Sequence, residues 1–480
     1  MSERGGPETC WHERSHIVDS RFFGPSYSTP ASQRIFCDVC RMQRWLDIEA
    51  ALALSEADVG LIPRGAATEI AKAARVENIN LDEVRDGIRD TEHSLVSLLR
   101  GLQLACCDGA GEYVHYGATT QDIGDTGQVL EMREALEAAG AELEQIVTRL
   151  IEVARSHRNT LMIGRTHARP ALPTTFGFKV AGWIDELVRA AQRLESARQR
   201  VLVVQLAGGV GTMAGFGDKG STLIESFAAR LSLGVPSIGW HSARDRVAEF
   251  VTSMAMLTGT LARIAEEIRM LSRPEFGELR EGWHYGKVGS STMPHKRNPE
   301  NCEQVVVLAR LAAANTVLAL EGLINEHERD GRALRLEWVS IGDVSHYTLA
   351  ALAILSRVLG GLDVEADRMA MEARAASEAI CSEALMFALA RNFGKQTAHA
   401  LVYEMSQRAQ TEGRSLRETL METPLVTAQL DISAIDGALD PSLYLGSARE
   451  TVDRVLASAA AWLTDSSTGA EYGGGGNVRH

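Results

Sequence analysis

The sequence predicts an all-α protein of three helical domains around a central bundle of long helices. Three observations predict it. Apolar residues recur about every 3.5 positions through three long stretches, the period of helices packed side by side. Aromatic residues are sparse, 5% against 45% hydrophobic overall, as in Ala- and Leu-rich helical interiors. No stretch alternates polar and apolar residues as a half-buried strand does, and no P-loop or GxGxxG strand–helix unit occurs.

The first periodic series starts at Val129 and continues through Met132, Leu136, Leu143, Ile146, Leu150 and Val153. The second runs Val180, Ile184, Leu187, Ala191, Leu194 and Val201. The third runs Val247, Phe250, Met254, Leu257, Leu261, Ile264, Ile268 and Leu271, and further helices are expected at Glu303–Leu323 and Val344–Leu359. Gly208–Gly211, Gly215–Gly220 and the Ser/Pro-rich stretch near 290 break them. A chain of 480 residues exceeds one simple core. The expected segments are 1–118, a bundle over 119–375, a C-terminal domain over 376–463 and a flexible Gly-rich tail over 464–480.

The net charge of −14 argues against a nucleic-acid partner, whose phosphates it would repel. No apolar run reads as long enough to span a bilayer, so no membrane partner is expected. The N-terminus Met-Ser-Glu-Arg-Gly-Gly has no hydrophobic signal core, which points to a cytoplasmic setting. Seven irregularly spaced cysteines do not form a disulfide framework. Cys37-Asp38-Val39-Cys40 is the one CxxC; lacking a second pair, it reads as two thiols on a buried helix rather than a metal site, and Cys106-Cys107 reads as core. No metal and no cofactor are expected.

The stretch Gly289–Pro299, Gly-Ser-Ser-Thr-Met-Pro-His-Lys-Arg-Asn-Pro, carries the chemistry. Gly and paired Ser favour a loop, and Pro294 and Pro299 stop a helix from running through it. Lys296, Arg297 and Asn298 are donors suited to an anion, next to hydroxyls that could act as base. A merely basic surface loop is the alternative. The approach Gly286–Gly289 gives the loop freedom to close over a ligand.

This segment resembles the signature loop of the fumarase/aspartase superfamily, whose members add or eliminate groups beta to a carboxylate. Two further blocks match in the same order. Val114-His115-Tyr116-Gly117-Ala118-Thr119-Thr120-Gln121-Asp122 is similar to the family's His-x-Gly-x-Thr-Ser-x-Asp block. Gly164-Arg165-Thr166-His167, followed by Pro173-Thr174-Thr175-Phe176-Gly177, is similar to its Gly-Arg-Thr-His block, with His167 on a loop leading to a helix at Pro173. Three ordered matches are far more specific than one.

The resemblance implies a homotetramer, each active site shared by three subunits, acting on a small dicarboxylate-type substrate. It implies that Ser290 is the catalytic base and that His167 protonates the leaving group or orients substrate. Ser291, Lys296, Asn298 and Met293 of the loop, Thr166, and Thr119, Thr120 and Gln121 would bind substrate; His93, His115 and Arg329 are further candidates. Several features resemble the 3-carboxymuconate cycloisomerase branch: Gln205–Thr212 with Gly217–Gly220, Glu326–Arg329 with Glu337-Trp338, and Leu439-Asp440-Pro441 with Tyr444-Leu445-Gly446. After Arg329-Asp330 the chain lacks the serine pair that adenylosuccinate lyases carry there, although Arg332 and Arg335 could still hold an anion. The expected reaction is release of fumarate from a substituted succinate through an aci-carboxylate intermediate, with nitrosuccinate the specific expectation. The alternatives are a 3-carboxy-cis,cis-muconate cycloisomerase, an adenylosuccinate lyase and a catalytically silent homologue.

Overall fold

The structure is a computed structural model that describes residues 16–473; the N-terminal residues read for a signal core lie outside them. Long helices dominate: Thr120–Ser156, Phe176–Val201, Asp245–Leu271, Glu300–Glu321 and Gly331–Gly360. The three apolar series are their buried seams. Every residue of the third series is buried, and in the first two only Val153 and Ala191 are half-buried.

The chain forms two compact units, each gathered from separate stretches. The first takes the stretch ending at Leu143, Ala190–Arg263 and Glu303–Leu355; the second takes Glu144–Arg189, Ile264–Cys302 and the stretch from Ser356 onward. The three segments expected from sequence divide the chain by order, whereas these units divide it by proximity.

In the first unit the Asp38–Asp58 helix packs with Arg64–Ala73, Val96–Ala105 and Gly220–Leu231 around Leu46, Leu52, Ile70, Leu98, Leu102, Leu223 and Phe227. Thr258 and Thr348 meet at 2.9 Å between Oγ1 atoms, tying two long helices side by side. In the second unit Leu161 and Ile163 pack with Ile380, Leu385, Leu389, Leu401 and Leu420 of the C-terminal helices. There the Arg149 guanidinium donates to the Ser356 carbonyl at 2.5 Å, and the Lys179 ammonium to Glu267 at 2.5 Å.

The structure corrects several expectations. Strands are present: β1 (Leu161–Thr166) and β2 (Arg169–Thr175) form an antiparallel hairpin whose register shifts between Gly164 and Arg165. Pro173 therefore lies in a strand, and the next helix starts at Phe176. Alternation failed to show it because β1 opens on three buried residues in a row and β2 holds two prolines. Two-residue strands β3 (Leu279–Arg280) and β4 (Asp363–Val364) also pair.

The Glu300–Glu321 and Gly331–Gly360 helices are long and apolar enough to cross a membrane by length and composition, which the sequence reading did not anticipate. The second has 78% of its most apolar window buried inside the protein, as a core helix does. Cys106 and Cys107 fall just beyond the end of the Val96–Ala105 helix and are half-buried and exposed, not core. Cys37 is the N-cap of the Asp38–Asp58 helix and Cys40 lies in its first turn; both are half-buried, because the helix buries its face further along. The final helix, Ala448–Gly473, continues into the segment expected as a flexible tail, and 474–480 lie outside the described residues.

Candidate active site

In the first unit the Thr119–Asp122 block opens the Thr120–Ser156 helix, where unpaired backbone N–H groups and the helix dipole favour an anion. Asp122 is fully buried and organises the block. Its carboxylate accepts the backbone N–H groups of Thr119, Ala207 and Gly208, each at 3.0 Å. It also meets His241 Nε2 at 2.8 Å, and an ionised carboxylate there makes that nitrogen the donor.

A second layer lies beneath. Arg244 donates both Nη atoms to Asp125 at 2.8 Å and its Nε to Glu337 at 2.7 Å, with Nη2 also on Glu337. All three side chains are at most 1% exposed, and Arg244 stacks over Trp240. Burial alone would favour a neutral Arg244, but the two carboxylates outweigh it and hold the guanidinium firmly charged. Burial pushes the Glu337 carboxyl up, and Arg244 opposes that. His241, Asp125 and Arg244 were missed from sequence, and Glu337 was noted there only as a mark of the cycloisomerase branch. A signal existed: Asp125, Arg244 and Glu337 each fall three or four residues before a buried seam residue, Val129, Val247 and Ile341, so each charge sits on an apolar stripe.

The sequence-predicted residues of this unit divide in use. Arg329 Nη1 donates to Thr119 Oγ1 at 2.5 Å, which brings an exposed cation to the start of the helix. His93 Nδ1 accepts the N–H of Val96 at 3.3 Å, so Nε2 carries the hydrogen, 3.5 Å from Thr120 Oγ1. The Gln121 amide instead points inward, donating to Asp125 at 3.1 Å and to the His241 carbonyl at 3.0 Å. Its role here is to brace the buried layer. Arg332 is turned to Glu326 and Asp330 rather than held open for an anion. His115 meets Glu49 at 2.7 Å, and Gly117 has no room for a side chain because a Cβ would sit 2.5 Å from the Phe216 ring.

In the second unit the signature loop is mostly exposed from Ser291 to Arg297. Ser290 Oγ accepts the backbone N–H of Met293 at 3.1 Å and of Thr292 at 3.3 Å. Two donors on one hydroxyl oxygen favour its alkoxide form. Asn298 Nδ2 donates to the Gly289 carbonyl at 2.7 Å and clasps the loop shut at its base. A Cβ on Gly289 would come within 2.2 Å of the Lys296 carbonyl, so this closure demands glycine. Trp283 lies under both Lys287, at 5.0 Å, and Arg297, at 5.3 Å. Buried Glu281 accepts the Asn301 amide and the Cys302 N–H, both at 2.8 Å, and fixes the far end. Ser291, Met293 and Lys296 are exposed.

Thr166 and His167 lie at the exposed tip of the β1–β2 hairpin. His167 and Ala168 both have positive φ, 49° and 61°, the backbone of a type I′ turn that Asn-Gly usually supplies. Arg165, one step back, is held by Glu278 at 2.6 and 3.0 Å and lies over Phe276. His115, at φ 61°, Glu92 beside His93, at 55°, and His327, at 54°, share this uncommon conformation. Strain of this kind gathers where side chains are aimed for use.

Comparison with known proteins finds relatives over nearly the whole chain. Residues 26–313 match the family model described as Lyase, and 378–455 the one described as Adenylosuccinate lyase C-terminus. N-acetyl-S-(2-succino)cysteine lyase of Dickeya dadantii is 39% identical over 92% of this chain and 97% of its own. The enzyme of that name from Enterococcus italicus is 39% identical over 94% and 98%. The solved 3-carboxy-cis,cis-muconate lactonizing enzyme of Pseudomonas putida superposes with a TM-score of 0.85, at 34% identity, over 92% of this chain and all of its own. The chain belongs to the fumarase/aspartase superfamily and is a lyase.

Proposed function

We propose that the enzyme eliminates a thiolate from an S-succinylated, N-acylated cysteine-type conjugate, releasing fumarate. The superfamily's β-elimination chemistry is the ground on which this stands. The observation that carries the reading is Ser290, with two backbone N–H groups on its Oγ in a loop that also presents Ser291, Lys296 and Asn298. A carbon acid beside a carboxylate is weak, so the reaction needs a positioned base and cations for the enediolate-like charge that follows.

Ser290 takes the proton as base. Lys296, Ser291 and a freed Asn298 hold the carboxylate on which charge develops, and the C–S bond then breaks. In the tetramer that the resemblance implies, Thr119, Thr120 and Arg329 of one subunit bind a substrate carboxylate at the helix N-terminus, and Thr166 and His167 of another stand at the leaving group. A thiol with an ordinary pKa near ~8.5 leaves with modest acid assistance, which an orienting His167 can supply.

The leaving group is read from the two succinocysteine lyases, each covered almost end to end. Nitrosuccinate, the expectation from sequence, is not the substrate that these two relatives' names give, and it enters as a competitor substrate. The cycloisomerase reading keeps the support of the Pseudomonas putida superposition. Assembly as a homotetramer with shared active sites accompanies the proposal. Exposed Val307, Val317 and Leu320 on the Glu300–Glu321 helix support it as apolar surface fit for burial between copies.

The test is ultraviolet detection of fumarate from purified enzyme given N-acetyl-S-(2-succino)cysteine, nitrosuccinate, adenylosuccinate and 3-carboxymuconate separately. Fumarate from the thioether alone supports the proposal. Turnover of nitrosuccinate or adenylosuccinate alone reassigns the leaving group, and loss of 3-carboxymuconate absorbance without fumarate turns the reading to cycloisomerisation.

A further inference from the structure

One polar cluster in the first unit is unused by the mechanism above. Glu49 and Glu56 lie two turns apart on the Asp38–Asp58 helix, on its buried face, at 1% and 0% exposure. Carboxyls are rarely buried without partners. Among the described residues, both oxygens of Glu56 and one of Glu49 have no hydrogen-bond partner. The other Glu49 oxygen lies 2.7 Å from His115 Nδ1. His115 itself stands in a strained backbone conformation, on the loop that ends in Thr119.

We propose that Glu49 is a positioning residue that holds His115 by Nδ1 as an imidazolium, leaving Nε2 to meet the anionic substrate beside Thr119. This rests on the elimination reading given above. The geometry is one-sided, because a carboxylate on one ring nitrogen fixes both the tautomer and the ring plane. Gly117 packed on Phe216 keeps the loop from relaxing.

Electrostatics point the same way. Burial alone would depress His115, but the charge and hydrogen bond of Glu49, with Asp122 as the second carboxylate facing it, reverse that and raise it. Glu56, pushed up to about 9 by burial and then by Glu49, is protonated near neutral pH. One negative charge thus faces His115 from this helix, and His115 balances it. The pair is neutral overall, so what it offers an anion is the Nε2 N–H donor it holds in place rather than net positive charge.

The test compares wild type, Glu49→Gln, His115→Asn and the double variant. Two readouts are taken: the His115 ring titration by NMR, without substrate, and the pH profile of kcat/KM. We expect Glu49→Gln to lower the His115 titration midpoint, to move the alkaline limb of kcat/KM to lower pH, and to cost ~10- to 100-fold at pH 8. The double variant should be no slower than His115→Asn alone, as for residues that act as one unit. Glu49→Asp, keeping the charge, should restore part of the alkaline limb.

An unchanged ring titration in folded Glu49→Gln overturns the pairing. A shifted titration with an unmoved pH profile, or a double variant slower than His115→Asn, overturns the role in the reaction. An enzyme that turns over no substituted succinate defeats the elimination reading instead, while the ring titration still decides whether Glu49 holds His115 charged.

Discussion

The buried layer under the Thr119 block and the signature loop show two ways to present charge. In the first, Asp122, Asp125, Arg244 and Glu337 are at most 1% exposed and bonded on nearly every side. In the second, Ser291 to Arg297 are exposed, and a few bonds at Ser290, Asn298 and Trp283 shape them. The difference teaches a division of labour. A dry, satisfied network fixes the backbone of the Thr119 block and contributes through rigidity. The loop keeps its hydroxyls and cations in a lightly held turn, open to the closure over a ligand that the proposed elimination would use.

The largest expected effect tests the buried layer. Arg244→Met strands two buried carboxylates and should destabilise the protein by about 3–5 kcal/mol, read from denaturant unfolding. A loss below about 1 kcal/mol would mean that the layer is not structural.

Next comes pH. The folded pKa of Glu56 is raised to about 9 from an ordinary 4.5. A raised acid binds a proton in the folded state that the unfolded state has released, so its contribution is fully present below 4.5 and is lost as pH rises to about 9. Glu56→Gln should flatten the decline of stability across that window by about 1.4 kcal/mol per pH unit. Parallel curves for wild type and variant would contradict this.

On the loop, Gly289→Ala opens the closure at Lys296 and Asn298. We expect kcat to fall ~10- to 100-fold with unfolding stability within about 0.5 kcal/mol of wild type, because the loop carries little of the fold. Equal damage to both would place the loop with the scaffold.

The smallest effect is expected at Arg329, exposed and bonded to Thr119. Arg329→Gln should raise KM about tenfold with kcat nearly unchanged, the signature of lost uniform binding. A fall in kcat alone would move Arg329 into the chemical step.

Which parts were legible in sequence follows the same contrast. The loop was readable because its chemistry is contiguous: hydroxyls, prolines and cations within one short stretch. The seams were readable because burial repeats with the helical period. The buried layer was not, because Asp125, Arg244 and Glu337 meet only in the folded chain, and a lone charge on an apolar stripe is easily passed over. The β1–β2 hairpin was obscured by consecutive buried residues in one strand and prolines in the other. Even within a recognised block, Gln121 was read as a ligand donor, although its amide serves Asp125.

The most direct measurement is Ser290→Ala beside wild type, read for fumarate release and for thermal midpoint on the same samples. The account predicts at least a ~10³-fold loss of kcat with an unchanged midpoint, since Ser290 is a base on a lightly held turn. Activity retained within about tenfold in the folded variant would contradict it, and the base would have to be sought elsewhere.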